Sequence, residues 1–245
     1  MRVGLLVTCL IDTMRPEIAF STIKLLESAG CTVLVPEGQT CCGQPGYSAG
    51  DNVTARALAI KFLDEFESFD YIVIPSGSCG GMVRTHYADL FPGDPRLSAR
   101  LAAITPRVYE LTEFLHGVLK LERLPSAQPK AFSGAITYHD SCCGLRELGV
   151  RQQPRALLAK VERVTLTEMN DCQACCGFGG TFAVKYGDIS SAIVDEKCAN
   201  IHASGSQAVV LGDLGCMLNI EGRLRRSGDH TTRVLHVAQV LAGDA

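Results

Sequence analysis

Four cysteines recur at nearly the same intervals in each half of the chain. In the first half Cys9 is followed, after 31 intervening residues, by the adjacent pair Cys41 and Cys42, and after 36 more by Cys79. In the second half Cys142 is followed after 32 residues by Cys175 and Cys176, and after 39 more by Cys216. Each pair opens a glycine-rich loop, "CCGQPGYSA" at 41–49 and "CCGFGGTFA" at 175–183. Within these loops Gly43 matches Gly177, Gly46 matches Gly180 and Ala49 matches Ala183. Sequence-adjacent cysteines are poor disulfide partners, because the small ring they would close is strained. Both can reach one metal group, and four thiolates suit a tetrahedral zinc ion or a [4Fe–4S] cluster.

The compartment decides how the twelve cysteines are read. The opening "MRVGLLVTCL" is too short in its apolar run, and too bulky around Cys9, for a lipoprotein signal; it reads as a buried first strand. No apolar run approaches the roughly 20 residues that span a bilayer. A cytoplasmic location follows as the expectation, and in a reducing compartment clustered cysteines point to metal binding or catalysis rather than crosslinking. A formal charge of −3, with no basic block or aromatic-interleaved stripe, sets nucleic acid aside as a partner.

The elements that must position these thiols alternate between strand and helix. Short apolar runs at 3–8, 31–35, 71–74, 134–138 and 208–211 predict buried parallel strands. Helical patterns lie between them, as in "PEIAFSTIKLLESAG" at 16–30, with Pro16 near its start and Gly30 past its end. "NVTARALAIKFLDEFESF" and "DISSAIVDEKCANIHASG" follow the two CCG loops in the same way. Strand–helix–strand order implies right-handed crossovers and helices on both sheet faces. The expected fold is α/β: two tandem Rossmann-like repeats with parallel sheets. The Pro- and Ser-containing segment "RLPSAQPKAFSG" at 123–134 reads as a linker, giving an N-terminal domain 1–124 and a C-terminal domain 133–245. Cys9, Cys79, Cys142 and Cys216 then fall just beyond strand C-termini, the edge where open α/β sheets bind ligands.

The other candidates divide by context. Cys31 at a strand start and Cys198 on an amphipathic helix read as core thiols, since free cysteine is among the most buried residue types. Cys143 and Cys172 have no counterpart in the first repeat and read as neighbours or replacements of a ligand. His139 and Asp140 can shuttle a proton or hydrogen-bond a cluster sulfur, although a histidine at a strand end is more often satisfied locally. His86 reads as an exposed helical histidine, and Arg146 and Glu147 as surface charges.

The repeated single cysteine, CCG and further cysteine resembles the cysteine-rich CCG domain. That domain is shared by the CCG-bearing subunit of heterodisulfide reductase and the iron–sulfur subunits of glycolate, glycerol-3-phosphate and lactate oxidising systems. With two CCG repeats, no ferredoxin-type insert, "YHDSC" at 138–142 and "GDLGCMLNIEG" at 212–222, the chain is similar to the lactate utilisation protein A family. The resemblance implies one or two [4Fe–4S] clusters, with zinc possible at one site, held by Cys9, Cys41, Cys42, Cys79, Cys142, Cys175, Cys176 and Cys216. It also implies two partners, a ferredoxin-like iron–sulfur subunit and a third subunit, which together with this chain oxidise L-lactate to pyruvate. The implied role here is electron transfer, and no flavin, nicotinamide or ATP motif is visible. The full motif ends in Cys-x-x-Cys, whereas this chain has Met82 and Asn219 at the last position, where they read as fillers. Four-cysteine sites speak against the thiol–disulfide reductase chemistry of the five-cysteine relatives. That activity and a structural zinc subunit are the alternatives.

Overall fold

In the computed structural model, which describes residues 1–129 and 131–245, the apolar runs form two four-stranded sheets, every pairing parallel. The first holds β1 (Arg2–Leu5), β2 (Thr32–Leu34), β3 (Tyr71–Ile74) and β4 (Val108–Glu110) in the order β2-β1-β3-β4. The second holds β5 (Gly134–His139), β6 (Val164–Leu166), β7 (Ala208–Leu211) and β8 (Arg233–His236) in the order β6-β5-β7-β8. The same winding is thus used twice. In each sheet the chain leaves its first strand toward one side and its third toward the other, so a crevice opens between those two strands at their carboxyl ends.

Strands β4, β6 and β8 are ones that hydrophobic runs do not predict. They are three or four residues long and carry polar or charged residues, as in "VYE", "VTL" and "RVLH". Their pairing with a buried neighbour, rather than their own composition, makes them strands.

Thirteen α-helical segments complete the fold among the described residues. Those of the first half are α1 (Cys9–Met14), α2 (Glu17–Ser28), α3 (Gln44–Ser48), α4 (Asn52–Phe66), α5 (Gly77–Gly81), α6 (Pro95–Ile104) and α7 (Leu111–Glu113). Those of the second are α8 (Cys142–Leu148), α9 (Gln152–Leu158), α10 (Thr181–Lys185), α11 (Gly187–Ala203), α12 (Leu214–Arg226) and α13 (Val237–Ala242). None is long and apolar enough to cross a membrane. Residues 119–129 and 131–133 hold no helix or strand; position 130 of the expected linker lies outside the described residues.

The halves share a core. Ile11, Ile18 and Leu25 from α1 and α2 belong to the same buried apolar cluster as Ile136, Val210, Ile220 and Leu241. Helix α2 packs on α13, where Lys24 Nζ donates to the Ala242 carbonyl at 2.7 Å and pairs with Asp244 at 2.6 Å. A second cluster, confined to the first half, contains Phe62, Phe66, Phe69 and Tyr87, with the Phe62 and Phe66 rings stacked 4.8 Å apart.

Two short elements at the sheet edges close the seam between the halves. A Cβ placed on Gly77 of α5 would stand 2.8 Å from Gly144 Cα and 2.8 Å from Ser141 Oγ at α8, so only glycine fits there. The Gly77 N–H donates to the Gly212 carbonyl at 3.2 Å. Asp213 caps α12 through the Gly215 N–H at 3.1 Å. Its other oxygen accepts from the Ser78 N–H at 2.9 Å and the Ser76 hydroxyl at 3.2 Å in the first half. One buried carboxylate therefore serves the starts of two helices, a favourable place for negative charge.

Candidate metal centre

Each strand-end crevice gathers its cysteines for a topological reason. Cys9 is the first residue of α1, four residues beyond β1, and Cys79 sits in α5 beyond β3. β1 and β3 are neighbours, so their two thiols face one crevice, and the loop after β2 brings Cys41 and Cys42 to it. Cys9 Sγ lies 3.7 Å from Cys41 Sγ, and the Cys42 thiol is close enough to Cys41 and Cys79 for both to act on it. Cys42 and Cys79 are buried, while Cys9 and Cys41 are half-buried.

The CCG loop delivers more than sulfur. Gly43 has φ +86°, and that left-handed turn directs its N–H back to Cys41 Sγ at 3.4 Å. The Cys41 thiol is pulled down to about 2, first by its hydrogen bond with Cys42, then by that with Cys9, with the Gly43 N–H adding to both against burial. Cys9 and Cys42 are pushed up, each first by its bond to Cys41. The hydrogen bonding thus favours the anion on Cys41 and the protonated thiol on Cys9 and Cys42, and an arriving cation would displace those protons. The Tyr87 hydroxyl fixes the loop from behind by donating to the Cys42 carbonyl at 2.9 Å.

The second crevice repeats the plan. Cys142 starts α8 beyond β5, Cys216 lies in α12 beyond β7, and Cys175 and Cys176 are on the loop after β6. Cys176 Sγ and Cys216 Sγ are 3.0 Å apart, and the Gly177 N–H reaches Cys175 Sγ at 3.3 Å. The Cys175 thiol is pulled down to about 2, first by Cys142 and then by Cys176. Here the loop is held by Asn219, whose Nδ2 donates to the Cys176 carbonyl at 2.8 Å. Asn219 is therefore a brace on the CCG backbone rather than a filler. Met82 is fully buried.

Several side chains stand differently from their sequence reading. His139 ends β5 with no exposed surface, and neither ring nitrogen has a well-formed hydrogen bond; the Cys172 backbone faces the ring and favours its protonated form, against the other influences. Burial first, then Lys197, pushes it down to about 4, so the ring is neutral. Local satisfaction, the ordinary fate of a strand-end histidine, is absent here. Cys143 lies against Cys142, pushing that thiol up, and receives Gln44 Nε2 from the other half at 3.9 Å. Cys172 turns instead to Arg155, whose Nη2 is 3.8 Å from its sulfur. Asp140 is committed to a bidentate pair with Arg155.

Glu147 is not a surface charge. Half-buried at the seam, it lies 3.5 Å from His86 Nε2, and its Oε2 is buried without a partner. His86 is correspondingly half-buried and tilted against Tyr47, whereas Arg146 is exposed as expected. Cys31 and Cys198 are both in the core.

Sequence reasoning missed Glu110 and His236, the matching final residues of β4 and β8. Both cap the following helix through a capping box, and both are buried. Glu110 Oε2 accepts from the Thr112 N–H at 2.7 Å, the Thr112 hydroxyl at 2.6 Å and the Glu113 N–H at 3.1 Å. Burial nevertheless outweighs those bonds and raises its carboxyl from 4.5 to about 7. A carboxyl raised in the folded state favours folding while protonated, so its contribution is intact below pH 4.5 and lost as pH rises through 7. The loss amounts to about 3 kcal/mol at about 1.36 kcal/mol per pH unit. Glu110→Gln, which keeps the acceptor and cannot ionise, should gain stability on the native chain by about that amount between pH 4.5 and 7 and hold it above. Urea denaturation of both proteins at pH 5 and pH 8 checks this; a pH-independent difference would mean that Glu110 is not buried as a proton carrier.

Comparison with known proteins agrees with this architecture. The family model described as "Cysteine-rich domain" (CCG) matches twice, over residues 3–84 and 136–221. The chain is 43% identical over 242 residues to lactate utilization protein A 2 of Bacillus cereus strain Q1, covering 99% of this chain and 98% of the relative. It is 43% identical over 241 residues to lactate utilization protein A of Geobacillus kaustophilus, covering 98% of each. It is 42% identical over 242 residues to lactate utilization protein A 2 of Bacillus anthracis, again covering 99% of this chain and 98% of the relative. Double CCG loops on matching sheets, and similarity that runs the length of the chain, make it a member of the lactate utilization protein A family of cysteine-rich CCG-domain proteins.

Proposed function

We propose that this chain is the iron–sulfur electron-transfer subunit of a multi-subunit system that oxidises L-lactate to pyruvate, working in the cytoplasm. The observation that carries the reading is the convergence of four thiols on each strand-end crevice, one of them in each set lowered to about 2 and met by a backbone N–H. Cys9, Cys41, Cys42 and Cys79 would hold one group, and Cys142, Cys175, Cys176 and Cys216 another. Residues 1–124 and 133–245 are then two domains, one per site, packed on a shared core. A [4Fe–4S] cluster, when bound, supplies one-electron storage at a potential set by its charge and hydrogen bonds. The chain's own contribution is to fix the sulfurs and aim the Gly43 and Gly177 donors at the most anionic of them. Buried cysteines close the inner side of each site, and the half-buried Cys9 and Cys41 of the first and the exposed Cys175 of the second mark the side open to a partner. The relatives' names support the lactate system, and the partners of the reading are a ferredoxin-like iron–sulfur subunit and a third subunit.

Zinc at the first site is a second reading with an observation behind it. Two ligands of one zinc ion at about 2.3 Å stand roughly 3.8 Å apart in a tetrahedron, and Cys9 Sγ and Cys41 Sγ are separated by 3.7 Å. Purification without oxygen, followed by iron, sulfide and zinc analysis and low-temperature EPR, separates the two. About four irons and four sulfides per site are expected. Zinc without sulfide at both sites would end the electron-transfer reading.

A further inference from the structure

The two crevices share their patterned cysteines and differ in what stands around them. Matching Cys9 with Cys142 sets Leu6 opposite His139 and Leu10 opposite Cys143. Behind the loops, a Cβ on Gly43 would meet Ala55 and Leu58, and one on Gly177 would meet Ser190 and Ile193. That alignment sets Phe62 of α4 opposite Lys197 of α11. Where the first site has two leucines and a phenylalanine, the second has an imidazole, a further thiol and an ammonium group. All three exchanges run from hydrocarbon to a polar or metal-binding side chain.

The imidazole is the informative member. His139 is fully buried with both ring nitrogens unpartnered. One of those nitrogens, Cys176 Sγ and Cys216 Sγ all lie within 4.8 Å of one another. Register fixes this placement, because His139 pairs with Leu211 at the end of β7, five residues before Cys216. A buried polar group without a partner is costly, and here the groups it faces are thiols able to share a metal with it. Lys197, 1% exposed, is held close by through the carbonyls of Asp171 at 2.5 Å and Cys172 at 3.3 Å.

We infer that the second site binds its metal group through a mixed sulfur–nitrogen set in which a ring nitrogen of His139 is a ligand beside Cys176 and Cys216, while the first site uses sulfur alone. The inference rests on the metal-binding reading given above. With His139 as a ligand, one of the four thiols of the second crevice stays off the metal; a neutral nitrogen in place of an anionic sulfur lowers the negative charge of a centre and makes it easier to reduce, and the Lys197 ammonium acts in the same direction. The two centres then differ, and the second takes the first electron.

The test uses the full chain, purified anaerobically with 15N-labelled histidine and reduced stepwise. Pulsed EPR of the centre reduced first should show a histidine nitrogen coupling that changes with the isotope, which requires no substitution. His139→Leu, which copies Leu6 of the first half, should abolish that coupling and make the centre harder to reduce while the iron of the first site is retained. Two reducible clusters without histidine coupling, or a coupling that survives His139→Leu, would overturn the inference and leave electron transfer standing. Zinc without iron would defeat the electron-transfer reading instead. In that case a nitrogen neighbour in the zinc X-ray absorption spectrum, removed by His139→Leu, upholds the inference, and an all-sulfur spectrum overturns it.

Discussion

Cys175→Ser should empty the second site and leave the first loaded, so that iron and labile sulfide fall from about eight to about four of each per chain. Cys175 is the exposed thiol of its set and the one drawn down to about 2 by its neighbours Cys142 and Cys176, so it is the sulfur of the set on which negative charge is most favoured. A serine hydroxyl in the same place remains protonated at neutral pH and is a far weaker ligand for iron. The Gly177 N–H that now points to sulfur would be left with a neutral acceptor. The matched control is Cys198→Ser. That thiol is buried in α11 and pushed up to about 11, chiefly by burial, and its loss should leave the metal content unchanged. Metal analysis of the two variants, prepared in parallel without oxygen, decides the matter. Equal loss from both would mean that general unfolding rather than ligation is being read.

Arg155→Met is expected to be the most destabilising of the substitutions that leave every cysteine in place. Asp140 has no exposed side-chain surface, and Arg155 pairs with both of its oxygens, at 2.8 and 2.9 Å. The guanidinium also reaches Glu168 at 2.6 Å and lies 5.1 Å from the centre of the Tyr138 ring. Removing it strands a buried carboxylate, a change that costs about 3–5 kcal/mol. The loss falls between His139 and Cys142, so the second site should also yield its metal to a chelator sooner. Deleting both charges is the discriminating comparison. Arg155→Met with Asp140→Val copies Val7, the corresponding residue of the first half, and should recover most of the stability in a denaturant titration. A single variant within about 1 kcal/mol of the native chain would show that the pair behaves like an exposed one.

Much of the fold could be read from spacing. The runs at 71–74, 134–138 and 208–211 coincide with β3, β5 and β7, and the helical patterns after the CCG loops coincide with α4 and α11. These segments are decided by their own periodicity, whereas β4, β6 and β8 are decided by the strand beside them. The placement of Cys9, Cys79, Cys142 and Cys216 at strand ends followed from the same runs.

The sequence was less legible where a residue's meaning depends on the opposite half. His139 looks like any strand-end histidine until it is set against Leu6. Lys197 looks like a solvated helix charge until it is set against Phe62. Laying one repeat on the other gives both signals, because a hydrocarbon-to-polar exchange at a matched buried position needs a reason. Glu147 and Asp213 gave no such sign, since their partners His86 and Ser78 lie across the seam at long sequence separation.

The contact of Gly77 with Gly144 has a kinetic consequence. Electrons tunnel between centres at rates that fall exponentially with separation, and α5 and α8 each carry a cysteine of a different crevice. With backbone against backbone at that point, and Asp213 bonded to both leaves, direct contact sets the spacing of the two crevices. On the electron-transfer reading proposed above, an electron would cross a gap set by that contact, and traffic through the molecule would be governed by who docks at its open faces.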